Sequence, residues 1–347
     1  MGIEIAGTVL KRMDLTQQDE PKFIVVIGTS AGGIRALEEL VMQLKPEMDA
    51  AFFVVLHLSR KGVGDVLFQR LQQHSVLSCK VAVHDEPIKK GTIYLAPPDH
   101  HLLIDKGKVL LGKGAPENRW RPSINNMFRS AAANYNSRVI GIILTGLLDD
   151  GTAGMSTIKR SGGIAIVQNP NEADYPDMPI SVLENMDVDY VESLSNMGEL
   201  LSEIIADTNP KPFEVPPDIL IETAIDKRVS TNVNELRQFE KSDFNCPDCG
   251  GGLWVTQKDH PVHFRCHVGH SFTERELMLR QAEVLENTFW AALRLMEERR
   301  ALLLRLANRD QERGYSSTAH LHLEKAKDLE QHIENLKQIL FATSDPE

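Results

Sequence analysis

The sequence predicts an α/β protein: a doubly wound, mainly parallel sheet with helices on both faces, followed by a small Cys/His zinc module and a C-terminal helical hairpin. Three observations carry that expectation. From Phe23 to about Ile205, short β-branched runs alternate with amphipathic stretches, the pattern of parallel strands joined by crossover helices. Three of the four cysteines crowd into Asn245 to His267. Beyond them, leucines and charges recur at helical spacing.

The elements follow in order after a short N-terminal tail, residues 1–21. Within an α/β domain over 22–206, strands are expected at Phe23 to Ile27, Ala51 to Leu56, Thr92 to Ala96, Val139 to Leu144 and Ile164 to Gln168. Runs so continuously apolar read as strands buried on both faces. After the first, Ile34, Leu37, Leu40, Val41 and Leu44 share one helical face, and Lys45-Pro46 ends that helix. "HLLIDKGKVLL" reads as a hairpin around Lys106 to Lys108. The proline-rich, poorly periodic "DTNPKPFEVPPDIL" opens a linker expected over 207–243. The Cys/His module occupies 244–272. A helical, partner-binding region fills 273–347, with helices at Glu274 to Asn308 and Ser316 to Phe341.

A length of 347 residues suggests two or three domains. The net charge of −11, with both signs interspersed, argues against a nucleic-acid surface. The sequence has neither a basic start leading into an apolar stretch nor a run of about 18 apolar residues. A cytoplasmic protein without direct membrane insertion is therefore expected. Clustered cysteines in a reducing compartment suit a metal site better than a disulfide framework, and Cys79, standing alone, reads as a small buried apolar residue.

Gly28-Thr29-Ser30-Ala31-Gly32 fits a nucleophile turn, G-x-S-x-G, with a strand before it and a helix after it. A phosphate-binding loop needs the same glycines and the same helix N-terminus, so the stretch alone leaves both readings open. Two other strand ends separate them. "AAFFVVLHLS" runs into His57, and "VIGIILTGLLDDGTAGM" runs into Asp149 and Asp150. In a parallel sheet all three ends share one edge, where open α/β sheets place their sites. Serine to attack, histidine to carry the proton and a carboxylate to hold the imidazole make a nucleophilic triad. The order Ser, His, Asp differs from that of an α/β-hydrolase, whose acid precedes its histidine. A dinucleotide fold would want an acidic residue about 20 residues past the glycines, where this chain supplies His57.

On these residues, and on "YLAPPDHHL", "NRWRPSINNMF", "IVQN" and "DMPISVL", the stretch from Phe23 to Ile205 resembles the protein-glutamate methylesterases of bacterial chemotaxis, the CheB catalytic domain. The resemblance implies Ser30, His57 and Asp150 as the catalytic residues. The family motif T-G-x-x-x-D-G-x-x-G-M falls on Thr145, Gly146, Asp150, Gly151, Gly154 and Met155, making Asp149 the bystander. Where the family often has glycine this chain has Leu148. The implied reaction hydrolyses glutamyl methyl esters of a methyl-accepting chemoreceptor without a catalytic cofactor, in a phosphorelay-type signalling pathway. Receptor glutamine deamidation is a second implied activity. A receptor methyltransferase or another signalling protein is a further class of partner. Backbone N–H groups near Ala31 and Leu147 are the candidate oxyanion hole. Arg119 and Arg121 could meet acidic receptor residues, with Trp120 forming a wall, or the loop could simply start the helix at Pro122-Ser123. His100 and His101 read as structural. Two competing classes are a catalytically weak scaffold acting through the C-terminal helices and a nucleotide-binding module using the glycine loop.

Such enzymes typically carry a receiver domain ahead of the catalytic part. With 22 residues before the first strand, none is expected here. What the chain adds is C-x2-C-x16-C-x3-H: Cys246, Cys249, Cys266 and His270, two ligand pairs suited to a tetrahedral structural zinc. His260, His263 and His267 compete for the fourth place. A segment of about 30 residues buries too little to fold unaided, so metal is expected to stabilise it. "CPDCGGGLW" and "FRCHVGHSF" also resemble extensions on some family members that lack a receiver.

Overall fold

A computed structural model of the chain describes residues 20–57, 64–227, 236, 239–257 and 261–342. It divides into two compact units, Met1–Thr273 and Glu274–Glu347. At the centre of the first unit is a seven-stranded, wholly parallel sheet. Its strands are β1 (Phe23–Thr29), β2 (Ala50–Leu56), β3 (Ser78–Val81), β4 (Thr92–Leu95), β7 (Val139–Ile143), β8 (Ile164–Gln168) and β9 (Tyr190–Glu192). They lie in the order β3-β4-β2-β1-β7-β8-β9. The hairpin β5 (His101–Asp105) and β6 (Lys108–Gly112) forms a separate two-stranded sheet.

Alternation along a buried strand feeds two cores. From β1, Phe23, Val25 and Ile27 enter one core with Leu37 and Leu40 of α1 (Gly33–Val41), Leu71 of α2 (Gly64–His74) and Leu201 of α6 (Met197–Asp207). Ile24 and Val26 enter the other, with Phe128 of α3 (Ile124–Tyr135), Met155 of α4 (Thr152–Arg160) and Val182 of α5 (Asp177–Asn185). Helices therefore cover both faces. Strand order reverses at β1, whose neighbours are β2 on one side and β7 on the other. Lone Cys79 is buried in β3, and burial pushes its thiol up.

Two features depart from the expected pattern. The stretch read as linker, 207–243, carries helix α7 (Pro217–Asp226), whose Ile219 and Ile225 are buried. Its prolines start the helix, since proline at the first helical position gives up an N–H that has no partner there. Strands β10 (Glu240–Asn245), β11 (Gly252–Gln257), β12 (His263–Cys266) and β13 (Ser271–Thr273) then form an antiparallel ribbon inside the same compact unit as the parallel sheet.

The second unit is a helical hairpin, Glu274–Glu312 and Ser316–Ala342. Ion pairs Arg300–Glu330 at 2.7 Å and Lys337–Glu297 at 3.5 Å fix its antiparallel register. Among the described residues no helix is long and apolar enough to cross a membrane.

Candidate active site and metal cluster

Ser30 follows the last residue of β1 and His57 the last of β2. The register pairs Thr29 with Leu56, so the two leave the sheet side by side. Neighbouring strands run about 4.8 Å apart, which sets the scale of that separation. The turn after Ser30 is closed by the Gly33 N–H donating to the Ser30 carbonyl at 3.0 Å, and Gly32 takes φ +76° to make it. On the other side, Ser30 N–H donates to the Thr145 carbonyl at 3.1 Å, and Thr145 Oγ1 donates to the Ala31 carbonyl at 3.1 Å. Gly146 allows this approach: a Cβ there would lie 2.9 Å from Ser30 Cβ and 2.0 Å from Met178 Sδ. Among the described residues, the N–H groups of Ala31 and Leu147 meet no acceptor.

His57 is buried and its Nε2 lies 2.8 Å from Asp150 Oδ2. Its Nδ1, also buried, has no hydrogen-bond partner among the described residues. Asp150 is anchored in turn by α3. Its carboxylate accepts from Ser123 Oγ at 3.1 Å, Ile124 N–H at 2.8 Å and Asn125 N–H at 3.4 Å. It thus caps the positive end of a 12-residue helix, where a carboxylate satisfies otherwise orphaned donors. Sequence reasoning treated Ser123 only as a helix start. The helix N-cap pattern was visible, but its acceptor lies 27 residues away.

The loop before α3 closes over the histidine. Trp120 stacks on His57 with ring centroids 4.1 Å apart and planes 6° from parallel. Arg121, a candidate for meeting acidic receptor residues, instead pairs with Asp99 at 2.6 Å and donates to the Gly114 carbonyl at 2.7 Å. Arg119 is exposed. His101 is fully buried: its Nε2 lies 3.0 Å from the Ala115 carbonyl and its Nδ1 accepts from Ser123 N–H at 3.3 Å. Burial pushes its pKa down and keeps it neutral. The partly exposed His100 reaches the Pro98 carbonyl. Asp149 accepts from Thr273 Oγ1 at 2.7 Å.

The ribbon gathers Cys246, Cys249, Cys266 and His270, with one ligand atom of each lying within 4.8 Å of all the others. Cys249 Sγ to Cys266 Sγ is 3.7 Å, and Cys266 Sγ to His270 Nδ1 is 3.6 Å. Tetrahedral zinc with Zn–S near 2.3 Å and Zn–N near 2.0 to 2.1 Å requires edges of about 3.8 and 3.6 Å, so the donor set fits that ion. The Cys246 thiol, donating toward Cys266, pulls Cys266 down to about 3 and is itself pushed up. Two turns shape the cluster: Gly250 N–H donates to the Cys246 carbonyl and Gly269 N–H to that of Cys266. His263 is not in the group. It lies 3.4 Å from Glu117 Oε1, inside a buried ion cluster. His267 is also outside the group, and His260 lies outside the described residues.

The fold is thus that of an α/β protein whose parallel sheet sends a glycine-flanked serine and an acid-bound histidine to one edge. The chain belongs to the CheB methylesterase family, whose model matches residues 25–201. A protein-glutamate methylesterase/protein-glutamine glutaminase 2 of Methanosarcina acetivorans is 37% identical over 193 residues, 53% of this chain and 54% of the relative. A relative from Leptospira interrogans, 40% identical over 177 residues, carries a provisional form of the same double name and is covered over 91% of its length. The crystal structure of the Thermotoga maritima CheB methylesterase catalytic domain matches with TM-score 0.51 and 36% identity, over 52% of this chain and 98% of that one. The Methanosarcina relative is thus spanned over about half its length, while the solved catalytic domain is spanned almost completely.

Proposed function

We propose that the protein is a serine esterase that hydrolyses glutamyl 5-O-methyl esters on the cytoplasmic helices of a chemoreceptor, yielding glutamate and methanol. The observation that carries this reading is the state of His57. One ring nitrogen is held by Asp150, the other is buried and unpartnered, and the nucleophile candidate leaves the adjacent strand in register. With Nε2–H donated to Asp150, Nδ1 carries the lone pair that takes the proton of Ser30. The ring is turned relative to the serine proteases, where Nδ1 faces the carboxylate.

Ser30 Oγ attacks the ester carbonyl, and the amides of Ala31 and Leu147 stabilise the oxyanion. His57 then protonates the departing methanol. Water, deprotonated by the same Nδ1, hydrolyses the acyl-enzyme and frees Ser30. Asp150 holds the imidazole tautomer and stabilises its charged form without taking the proton. A glutamine side chain enters by the same route with ammonia as the leaving group, which adds deamidation. Cys246, Cys249, Cys266 and His270 hold a structural zinc, since four protein ligands leave no position open for substrate. A receptor methyltransferase supplies the ester this enzyme removes.

The test is methanol release from methylated receptor by the native protein and by Ser30→Ala. Loss of one triad member is expected to cost about 10⁴-fold or more. Equal release by both proteins overturns the assignment.

A further inference from the structure

The ribbon lies against the loop that precedes α3 through both side-chain and backbone contacts. Glu117, 1% exposed, opens that loop. Its carboxylate pairs with Arg129 of α3 at 2.8 Å, Arg265 of β12 at 3.3 Å and His263 at 3.4 Å. Arg265, also 1% exposed, reaches Asp226 of α7 at 2.6 Å, and Asp226 pairs with Arg129 as well. Arg265 immediately precedes Cys266, a member of the metal cluster.

The backbone makes a second set of contacts. Glu117 bridges Ser271 in parallel register, Asn118 N–H donates to the Ser271 carbonyl at 2.9 Å, and Thr273 N–H donates to Asn118 Oδ1 at 3.2 Å. The turn so held is short. Glu117 N–H donates to the Trp120 carbonyl at 3.2 Å and Trp120 N–H to the Glu117 carbonyl at 2.9 Å. A third contact is Thr273 Oγ1 to Asp149, the residue before Asp150. The ribbon thus grips both the turn that lays Trp120 on His57 and the loop that brings Asp150 to the same ring.

We propose that the metal-loaded ribbon is a brace acting in cis on the catalytic histidine, so that zinc occupancy sets the reactivity of the esterase. Glu117, Arg265 and Thr273 are its positioning residues. They act through Trp120 and the Asp149–Asp150 loop and touch no reacting atom. The inference rests on the esterase reading for its activity arm only. Without metal, a ribbon of this size loses its fold, and with it go the Arg265 guanidinium and the Ser271 and Thr273 contacts. Trp120 then leaves the imidazole. Misplacement of a catalytic group by about 1 Å costs on the order of 10²-fold in rate, so a drop of at least about tenfold in kcat/KM is expected.

The experiment uses the full chain with Trp254→Phe and Trp290→Phe, which leaves Trp120 as its only tryptophan. Stacked on His57, the indole loses part of its emission to the ring beside it, so the emission reports that contact. Chelating zinc with EDTA is expected to abolish that quench and to lower kcat/KM, and added zinc to restore both. Because chelation could unfold more than the ribbon, Thr273→Val in zinc-loaded protein is the second arm. It removes one hydroxyl, keeps all four ligands, and is expected to reduce both the quench and kcat/KM several-fold at unchanged zinc content.

The brace is overturned if the quench and kcat/KM persist in zinc-free protein, or if Thr273→Val leaves both unchanged. The quench needs no turnover. Should Ser30→Ala retain hydrolysis, the esterase reading fails while the brace is still decided by fluorescence.

Discussion

Replacing Asp150 with asparagine separates the two neighbouring aspartates and tests the catalytic assignment at its anchor. The carboxylate accepts from four donors: His57 Nε2, Ser123 Oγ and the amides of Ile124 and Asn125. Asparagine is nearly isosteric but has one acceptor oxygen and one NH₂. Turned one way, its NH₂ meets the helix donors; turned the other, it meets His57 and forces Nε2 to become the acceptor. That second tautomer puts the proton on Nδ1, where the lone pair is needed. A triad with its acid so replaced loses about 10⁴-fold in kcat, which converts to about 5.4 kcal/mol of barrier. The fold also suffers, by about 1–3 kcal/mol for a buried donor left unpaired and about 0.3–1 kcal/mol for the charge lost at the helix N-terminus. Asp149→Asn keeps an oxygen for Thr273 and is expected to remain within about threefold of native in rate. Methanol release from methylated receptor, paired with urea unfolding of each variant, reads both effects. An Asp150→Asn enzyme within tenfold of native would refute the reasoning.

Other outcomes follow from the same geometry. Gly146→Ala places a methyl against Met178 and Ser30, and is expected to lower kcat at least tenfold while the protein stays folded; native turnover with alanine there would show that the close approach is not needed. Leu148 holds φ 67°, a conformation that costs a non-glycine residue about 1–2 kcal/mol. Leu148→Gly recovers that strain but adds about 0.4–1 kcal/mol of unfolded-chain freedom, so thermal unfolding should show a net gain of up to about 1.6 kcal/mol, and a loss would be the contrary result. Stability should also fall on acidification. Burial would raise the Glu117 carboxyl, but Arg129, His263 and Arg265 outweigh it and hold it well below the usual carboxylate range. Its contribution is complete above the unfolded value near 4.3 and is lost as pH falls toward the lowered folded value. Burial lowers His101, so below its unfolded value of about 6.5 the unfolded chain takes up a proton that the folded state refuses. Urea midpoints from pH 7 to about 2 should decline, the lower part through Glu117, and His101→Gln should flatten the upper part of that decline; an unchanged slope there would assign it to other groups.

The α/β sheet was legible because its strands are buried on both faces and write themselves as apolar runs. The gathering of Ser30, His57 and Asp150 was legible for a related reason, since parallel strands send all their C-terminal ends to one edge. Shorter or more exposed strands were harder to read. β3 and β9 span four and three residues with little apolar content facing a core. Helix α7 was missed because its prolines read as breakers, although they stand where a helix begins. Least legible were long-range polar partners. Nothing near Glu117 in sequence announces Arg265, 148 residues on, and nothing near Asp150 announces the helix terminus that holds it. Periodicity reports which face of an element is buried, whereas a charge's partner is chosen by topology. The tryptophan in "NRWRPS" drew attention as a wall, but its stacking on His57 depends on a loop conformation that spacing does not encode.

The buried ion cluster also bears on how the chain is made. Arg129 and Glu117 leave the ribosome long before Arg265 does, and until it arrives Arg129 alone faces the three carboxylates of Glu117, Glu222 and Asp226, an imbalance of charge that burial penalises. Until the last strands of the ribbon have emerged, the parallel sheet can close but this corner cannot be completed. Synthesis order thus delays the finished active-site loop until the metal-binding segment is present, and a product truncated before Arg265 lacks a piece of the corner that carries Trp120.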